Sequence, residues 1–195
     1  HGLHYGTGVF EGIRCYETDK GPAVFRLTDH LVRLQNSANL LYMDLPYSVD
    51  DLHAACMELI GVNGLPECYL RPIAFSGYGE LGVSTAGNPV NVVIMSWPWG
   101  AYLGDEGLKN GIRVKISSWQ RVGPNTIPHA SKATGIYLNS MLAVSEAKIP
   151  EAMAEVAERR PSLAAPAVPS APRPQNTAPT GLRAPRLGRR VHPGR

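Results

Sequence analysis

With 195 residues, 44% of them hydrophobic and 18% charged, the chain can hold one ordinary domain or a small domain with part of another, and its composition excludes a fibrous or wholly unfolded protein. No apolar run approaches the roughly 18 residues of a membrane helix, so a soluble, cytoplasmic protein without membrane partners is expected. The formal charge of +3 averages two unlike parts: from Arg159 onward there are eight arginines and no acid, so the part before it carries eleven basic residues against all 16 acids.

Cys15, Cys56 and Cys68 form no CxxC pair, which argues against a disulfide framework or a zinc site; they are expected to be reduced and buried, and no metal is expected. The chain begins at His1 without a basic and then apolar leader, so its start is expected to be an internal point of a longer protein.

In chain order, residues 5–26 read as a hairpin, VFEGIRCYE and PAVFRL around TDKG. Thr28 is the expected N-cap of a helix in which Leu31, Leu34, Ala38 and Leu41 recur at helical spacing, ending near LPYS. Ser48, followed by Asp50 and Asp51, predicts the start of a second helix that runs to about Val62. Three strand-like runs follow, CYLRPIAFSG, NPVNVVIMSW and GIRVKISSW, separated by Gly, Pro and Asn. After PNTIPHASKATG a last helix is predicted to about Lys148. Residues 161–195 hold eight of the 17 prolines and no aromatic residue, so they cannot bury enough apolar area to offset roughly 1–2 kcal/mol of backbone entropy per residue.

The fold class is therefore α/β (α+β). Residues 1–98 form the expected first domain and 99–108, around WPWGAYLGDEG, a linker. Residues 109–148 begin a second domain, and 149–195 are a Pro/Ala/Arg-rich tail expected to be disordered or aberrant.

Several residues carry chemistry that the local sequence leaves open. Lys132 lies in HASKATG among small residues ahead of a helix, where an amine can be approached closely by an aldehyde; a solvated lysine fits the same pattern. Arg33 on the first helix is a phosphate-gripping guanidinium or a surface charge. Arg71, flanked by apolar residues, needs an anion, either a structural acid or a substrate carboxylate. Tyr5, Phe10, Tyr69, Trp99 and Tyr102 are core or site aromatics. The glycines of HYGTGVFEG lack the spacing of a nucleotide loop.

The segments HYGTGVFEGIRCYETDKGPAVFR, DHLVRLQNSA, CYLRP, WPWGAYLG and PNTIPHASKATGIYLNSMLAVSEA together resemble bacterial branched-chain aminotransferases of class IV, over His1 to about Lys148. The resemblance implies a class IV aminotransferase-like first domain and pyridoxal 5′-phosphate as cofactor. It makes Lys132 the Schiff-base lysine and proton carrier, Arg33 the phosphate ligand, and Tyr137 the partner of the cofactor's phenolic oxygen. It also implies that Phe10, Trp99 and Tyr102 line an apolar substrate pocket. Tyr69 would lie near the substrate carboxylate with Gly12 leaving room beside it, and Arg71 would meet the distal carboxylate of glutamate or 2-oxoglutarate. Tyr5 and Val83 would line the site across a contact between copies of a homo-oligomer. The implied reaction moves the amino group of leucine, isoleucine or valine to 2-oxoglutarate. The resemblance breaks off at KIPEAMAEVAERRPSLAAP, from which a truncated chain of weak or no activity is expected, its tail an out-of-frame or substituted ending. Another class IV aminotransferase or lyase is the alternative within the fold. A non-catalytic fragment whose basic tail binds polyanions without sequence preference is the alternative outside it.

Overall fold

The computed structural model describes residues 1–100 and 104–159. Its organising element is β4 (Cys68–Ser76), whose alternating apolar residues give a strict period of two in burial. Both edges of β4 are occupied. On one, β1 (Gly8–Phe10) lies against Ile73–Phe75 and β2 (Ile13–Tyr16) against Cys68–Leu70; on the other, β5 (Val90–Trp97) runs antiparallel along Tyr69–Ser76. A two-residue β3 (Ala23–Val24) closes the hairpin with β2, so the hairpin expected for residues 5–26 is present with a short second arm.

The first arm, VFEGIRCYE, is two strands rather than one, broken at Glu11–Gly12. The break faces Pro72. The Pro72 carbonyl accepts from Glu11 N–H at 2.9 Å, so the side of Pro72 that lacks an N–H points at the interruption, where no ladder bond is required of it. A proline is thereby accommodated inside a strand with neighbours on both edges.

Helices α2 (Leu27–Asn39) and α3 (Val49–Asn63) cover one face of the sheet. Leu31, Leu34 and Ala38 from α2, and Leu52, Cys56 and Ile60 from α3, close on Val9, Ile13, Cys15, Leu70 and Ala74 from the strands. Each leucine fully buried in this way contributes roughly 1.5–3 kcal/mol. Ser48 caps α3 as expected, in a reciprocal box with Asp51. The cap of α2 differs from expectation. Arg26, not Thr28, is its N-cap, with φ at 53° and no side-chain cap bond, because the helix starts early enough to bring Leu27 into the core. The left-handed backbone there costs about 1–2 kcal/mol, offset by the burial of Leu27 and by an Arg26–Asp29 ion pair at 2.6 Å.

A single turn of helix, α1 (Gly2–Tyr5), precedes β1 and has no counterpart in the sequence reading. Farther along, α4 (Gly104–Asn110) occupies the second half of the expected linker. The run GIRVKISSW is not a strand: Val114 and Ile116 are exposed, and no strand among the described residues pairs with it. Side-chain alternation alone does not hold a strand without a ladder partner. Ser117 Oγ, Ser118 N–H and Lys115 instead bond to Glu146 of α5 (Tyr137–Arg159). That helix passes the expected stop at Lys148 and runs through Pro150, carried by the strong helix formers of EAMAEVAER. Residues 149–159 are therefore helical, contrary to the expected disorder; the rest of the expected tail lies outside the described residues. No described helix is long and apolar enough to cross a membrane.

Candidate active site

The face of the sheet turned away from α2 and α3 carries three cross-strand rows. Arg14, Tyr69 and Trp97 form one, Phe10, Ile73 and Val93 another, and Arg71 lies between them beside Met95 and the Glu11–Gly12 break. Period-two alternation does this: the odd residues of β4 face the site because the even ones face the core.

The loop bearing Lys132 is tied to this sheet as an additional edge. Phe10 N–H donates to the Lys132 carbonyl at 3.1 Å, Thr134 N–H to the Gly8 carbonyl at 2.8 Å, and Val9 bridges Ala133. Thr134 Oγ1 also donates to the Gly6 carbonyl, at 2.6 Å. From beneath, Ser37 of α2 accepts the Lys132 N–H at 3.1 Å through its hydroxyl, and its carbonyl accepts Ser131 Oγ at 3.0 Å. Gly6, with φ at 64°, must lack a Cβ, since one would meet Gly135 Cα at 2.9 Å. The backbone of Lys132 is thus fixed on both sides before its side chain begins.

That side chain reaches Tyr137, the first residue of α5: Lys132 Nζ donates to the Tyr137 hydroxyl at 2.8 Å and stands 4.9 Å from the Phe10 ring centroid. Arg71 approaches Phe10 too, its guanidinium carbon 4.6 Å from the centroid, with Tyr69 at 5.3 Å and Trp97 at 5.9 Å. Arg71 Nη2 donates to the Tyr69 hydroxyl at 3.3 Å, while its buried Nε has no partner. No acid among the described residues pairs with Arg71, so the structural salt bridge left open by the sequence is not made there. Gly12 lies against Tyr69, and a Cβ at that position would overlap the Tyr69 hydroxyl. Trp99 packs against Tyr69 at 4.5 Å and Trp97 at 5.5 Å between ring centroids, its carbonyl and that of Gly100 held by Arg14.

Arg33 is anchored rather than free. Its Nε and Nη2 donate to the two oxygens of Glu11 at 2.5 and 2.6 Å, and His30 Nδ1 lies 3.1 Å from the same carboxylate. Glu11 is wholly buried. Burial pushes its pKa up, but the hydrogen bonds from Arg33 and His30, the Arg33 charge and the Gly12 N–H outweigh it, and the carboxyl ends below its usual range. Arg33 is raised in turn, chiefly by the hydrogen bond to Glu11 against its own desolvation, with the Tyr137 side adding to the effect.

Not every expected residue joins this cluster. Tyr5 donates to the Leu81 carbonyl at 2.9 Å and Val83 is 82% exposed; no hydrogen bond or ring contact among the described residues links either to Lys132. Tyr5 helps to line a cavity of about 650 Å³ with Met43, Thr85, Ala133 and Ile136, but Lys132, Phe10, Arg71 and Tyr137 do not line it. Tyr102 lies outside the described residues. The three cysteines are free and buried, and burial pushes the thiols of Cys56 and Cys68 up to about 11, so they are not nucleophiles at neutral pH. Among the described residues no group of three His, Cys, Asp or Glu side chains is placed to hold a metal.

Glu11, His30, Ser37 and Trp97 went unnoticed in the sequence. For Glu11 a signal existed: in VFEGI the period-two phase that turns Val9 and Ile13 inward turns Glu11 inward too, and an acid on a core face demands a cation.

Residues 8–154 match the model of the amino-transferase class IV family. The branched-chain-amino-acid aminotransferase of Escherichia coli K12 is 50% identical over 149 residues, covering 76% of this chain and 48% of that protein. The crystal structure of the Escherichia coli branched-chain amino acid aminotransferase superposes with a TM-score of 0.70 at 50% identity, covering 73% of this chain and 47% of its own. A branched-chain amino acid aminotransferase from Thermobaculum terrenum, solved in its PLP-form, gives 0.65 at 30% identity, covering 75% and 48%. The chain spans about half the length of the curated relatives it matches.

Proposed function

Because this chain belongs to the class IV aminotransferase family, we propose that it carries the lysine-bearing part of a transaminase site that moves an amino group between branched-chain L-amino acids and 2-oxoglutarate. The observation that supports this most is the convergence of Lys132, Tyr137, Phe10 and Arg71 on one sheet face, with Arg33 beside it.

The residues present fit pyridoxal 5′-phosphate. Lys132 offers an amine, Tyr137 a hydroxyl, and Arg33 a guanidinium whose Nη1 is not engaged by Glu11. When bound, the cofactor supplies an aldehyde to receive the amino group and a conjugated ring to accept the electrons left at the substrate α carbon. The chain's own part is to hold and to move protons. Lys132 Nζ would take the proton from the substrate α carbon and deliver it to the carbon that was the cofactor's aldehyde, acting as nucleophile and general base in turn. The hydrogen bond to Tyr137 aims that amine, and Arg33 binds the phosphate.

On the substrate side, Phe10 and Trp99, with Tyr102, form the apolar wall for a leucine, isoleucine or valine side chain. Tyr69, with Gly12 leaving room at its hydroxyl, lies at the α-carboxylate. Arg71, with its unpartnered Nε, serves the distal carboxylate of glutamate or 2-oxoglutarate. An aromatic wall with one guanidinium suits both substrate types, since the aliphatic side chain packs on the rings and the charged one pairs with the arginine. Tyr5 and Val83, exposed and away from Lys132, suit a contact with a second copy of the chain, in a cytoplasmic homo-oligomer.

Pyridoxal 5′-phosphate added to the purified chain is expected to give a visible absorption band. Borohydride reduction is expected to fix the label on Lys132 in a peptide map. A label on another lysine, or no band, removes the reading.

A further inference from the structure

Arg33 and Glu11 meet along one edge of the guanidinium. Its Nε–H and one Nη2–H point at the two carboxylate oxygens, and Nη2 also lies 3.3 Å from His30 Nδ1, which leaves both Nη1 hydrogens open on the opposite edge. The exposure of the two partners is just as unequal: the Arg33 side chain is 53% exposed and that of Glu11 0%. Four nitrogens surround the carboxylate, Arg33 Nε at Oε1 and Arg33 Nη2, His30 Nδ1 and Gly12 N–H at Oε2, and its full burial keeps it from any ligand. It sits at the break between β1 and β2, flanked by Phe10 and Gly12, so the backbone that sets the substrate face also sets Glu11.

We propose that Glu11 is a positioning residue: by occupying the Nε edge of Arg33 from a buried site held by several hydrogen bonds, it holds the Nη1 side of the guanidinium outward as a preset receptor for the cofactor's 5′-phosphate. The inference rests on the reading of Arg33 as the phosphate ligand. An arginine on an open helix face otherwise surrenders rotamer freedom when it binds, and a side chain already fixed by a bidentate partner has little left to lose. His30, three residues before Arg33 on the same helix, buttresses the carboxylate from the side.

Binding of pyridoxal 5′-phosphate and of pyridoxal, which has the same aldehyde and ring without the phosphate, separates this role from a merely structural one. Dissociation constants for both are measured on the full chain and on Glu11→Gln, Arg33→Gln and the double variant, each checked for its thermal melt. Arg33→Gln is expected to abolish most of the preference for the phosphorylated form. Glu11→Gln is expected to lower that preference about tenfold, the lower end for loss of an outer-shell partner, with pyridoxal binding little changed. In the Arg33→Gln background it is expected to add nothing. Should Glu11→Gln not fold, Glu11→Asp keeps the charge, withdraws it by one methylene and is expected to lower the preference by a smaller factor.

If Arg33→Gln lowers the preference while the folded Glu11 variant leaves it unchanged, or weakens both ligands equally, the positioning role is overturned and the phosphate reading stands. If Arg33→Gln leaves the preference unchanged, or the unaltered chain binds neither compound, both fall.

Discussion

The two faces of β4 come from one nine-residue strand and have opposite characters. Cys68, Leu70, Pro72, Ala74 and Ser76 are buried on the face turned to the helices, whereas Tyr69, Arg71, Ile73 and Phe75 are half-buried on the face that carries the candidate site. Under the proposed function stability is concentrated on one face and recognition on the other, so substitutions one residue apart should separate the two properties. Leu70→Ala is the strongest test. Leu70 is wholly buried among core residues from the helices and strands, and the change should lower the unfolding free energy by roughly 2–5 kcal/mol, seen as a lower urea midpoint with an unchanged slope. A loss below that range would mean that the helix-facing side is not the stabilising one.

Glu11 sharpens the comparison because it belongs to both sides, buried like the core and bonded to an exposed arginine. Glu11→Gln at neutral pH should cost up to about 3 kcal/mol, the low end for breaking a buried ion pair because Arg33 is half in water. The pH dependence has a definite sign. The folded carboxyl lies below its ordinary value of 4.5, so its stabilisation is present above that value and is lost as the pH falls through the lower folded one. Urea midpoints measured from pH 7 down through that window should fall more steeply for the unaltered chain than for Glu11→Gln. Parallel curves would mean that Glu11 is not held as an anion.

How far the sequence displays this arrangement depends on what each signal requires. Local chemistry was legible: Ser48 with Asp51 is a cap wherever it occurs, and the alternation in CYLRPIAFS needs only a helix layer beneath it. Elements that depend on distant partners were not. GIRVKISSW has the alternation of a strand but no ladder partner among the described residues, and Arg26 became a cap because Leu27 is drawn into the core. In the candidate site, Lys132, Arg33, Arg71 and Tyr137 were found from the family pattern, not from their spacing. Trp97 was not, since only the register of β5 against β4 sets it beside Tyr69 and Arg71. Ser37 is an ordinary helix residue in sequence, and its role comes from the lysine loop 94 positions away.

A smaller change tests whether the helix layer is supported locally as well as by the sheet. Ser48→Ala removes the hydroxyl that accepts the Asp51 N–H and should cost about 1 kcal/mol. Because the capping pair is exposed and distant in sequence from Lys132, pyridoxal 5′-phosphate binding measured on the folded variant should be unchanged.

The smallest stability effect is expected at Arg71, next to Leu70 in sequence and opposite to it in the sheet. Apart from one long hydrogen bond to the Tyr69 hydroxyl at 3.3 Å, its guanidinium leaves the buried Nε unbonded and takes its contacts from the rings of Phe10, Tyr69 and Trp97. Cation–π contacts of this kind contribute about 0.5–2 kcal/mol, and an unsatisfied buried donor costs about 1–3 kcal/mol, so the two nearly cancel. Arg71→Met keeps the length and the packing on the rings while removing charge and donors. Its urea midpoint should therefore correspond to a stability within about 0.5 kcal/mol of the unaltered chain, or higher. A loss as large as that of Leu70→Ala would show that Arg71 supports the fold, and the division of labour between the faces of β4 would fail at the residue on which the dicarboxylate reading depends.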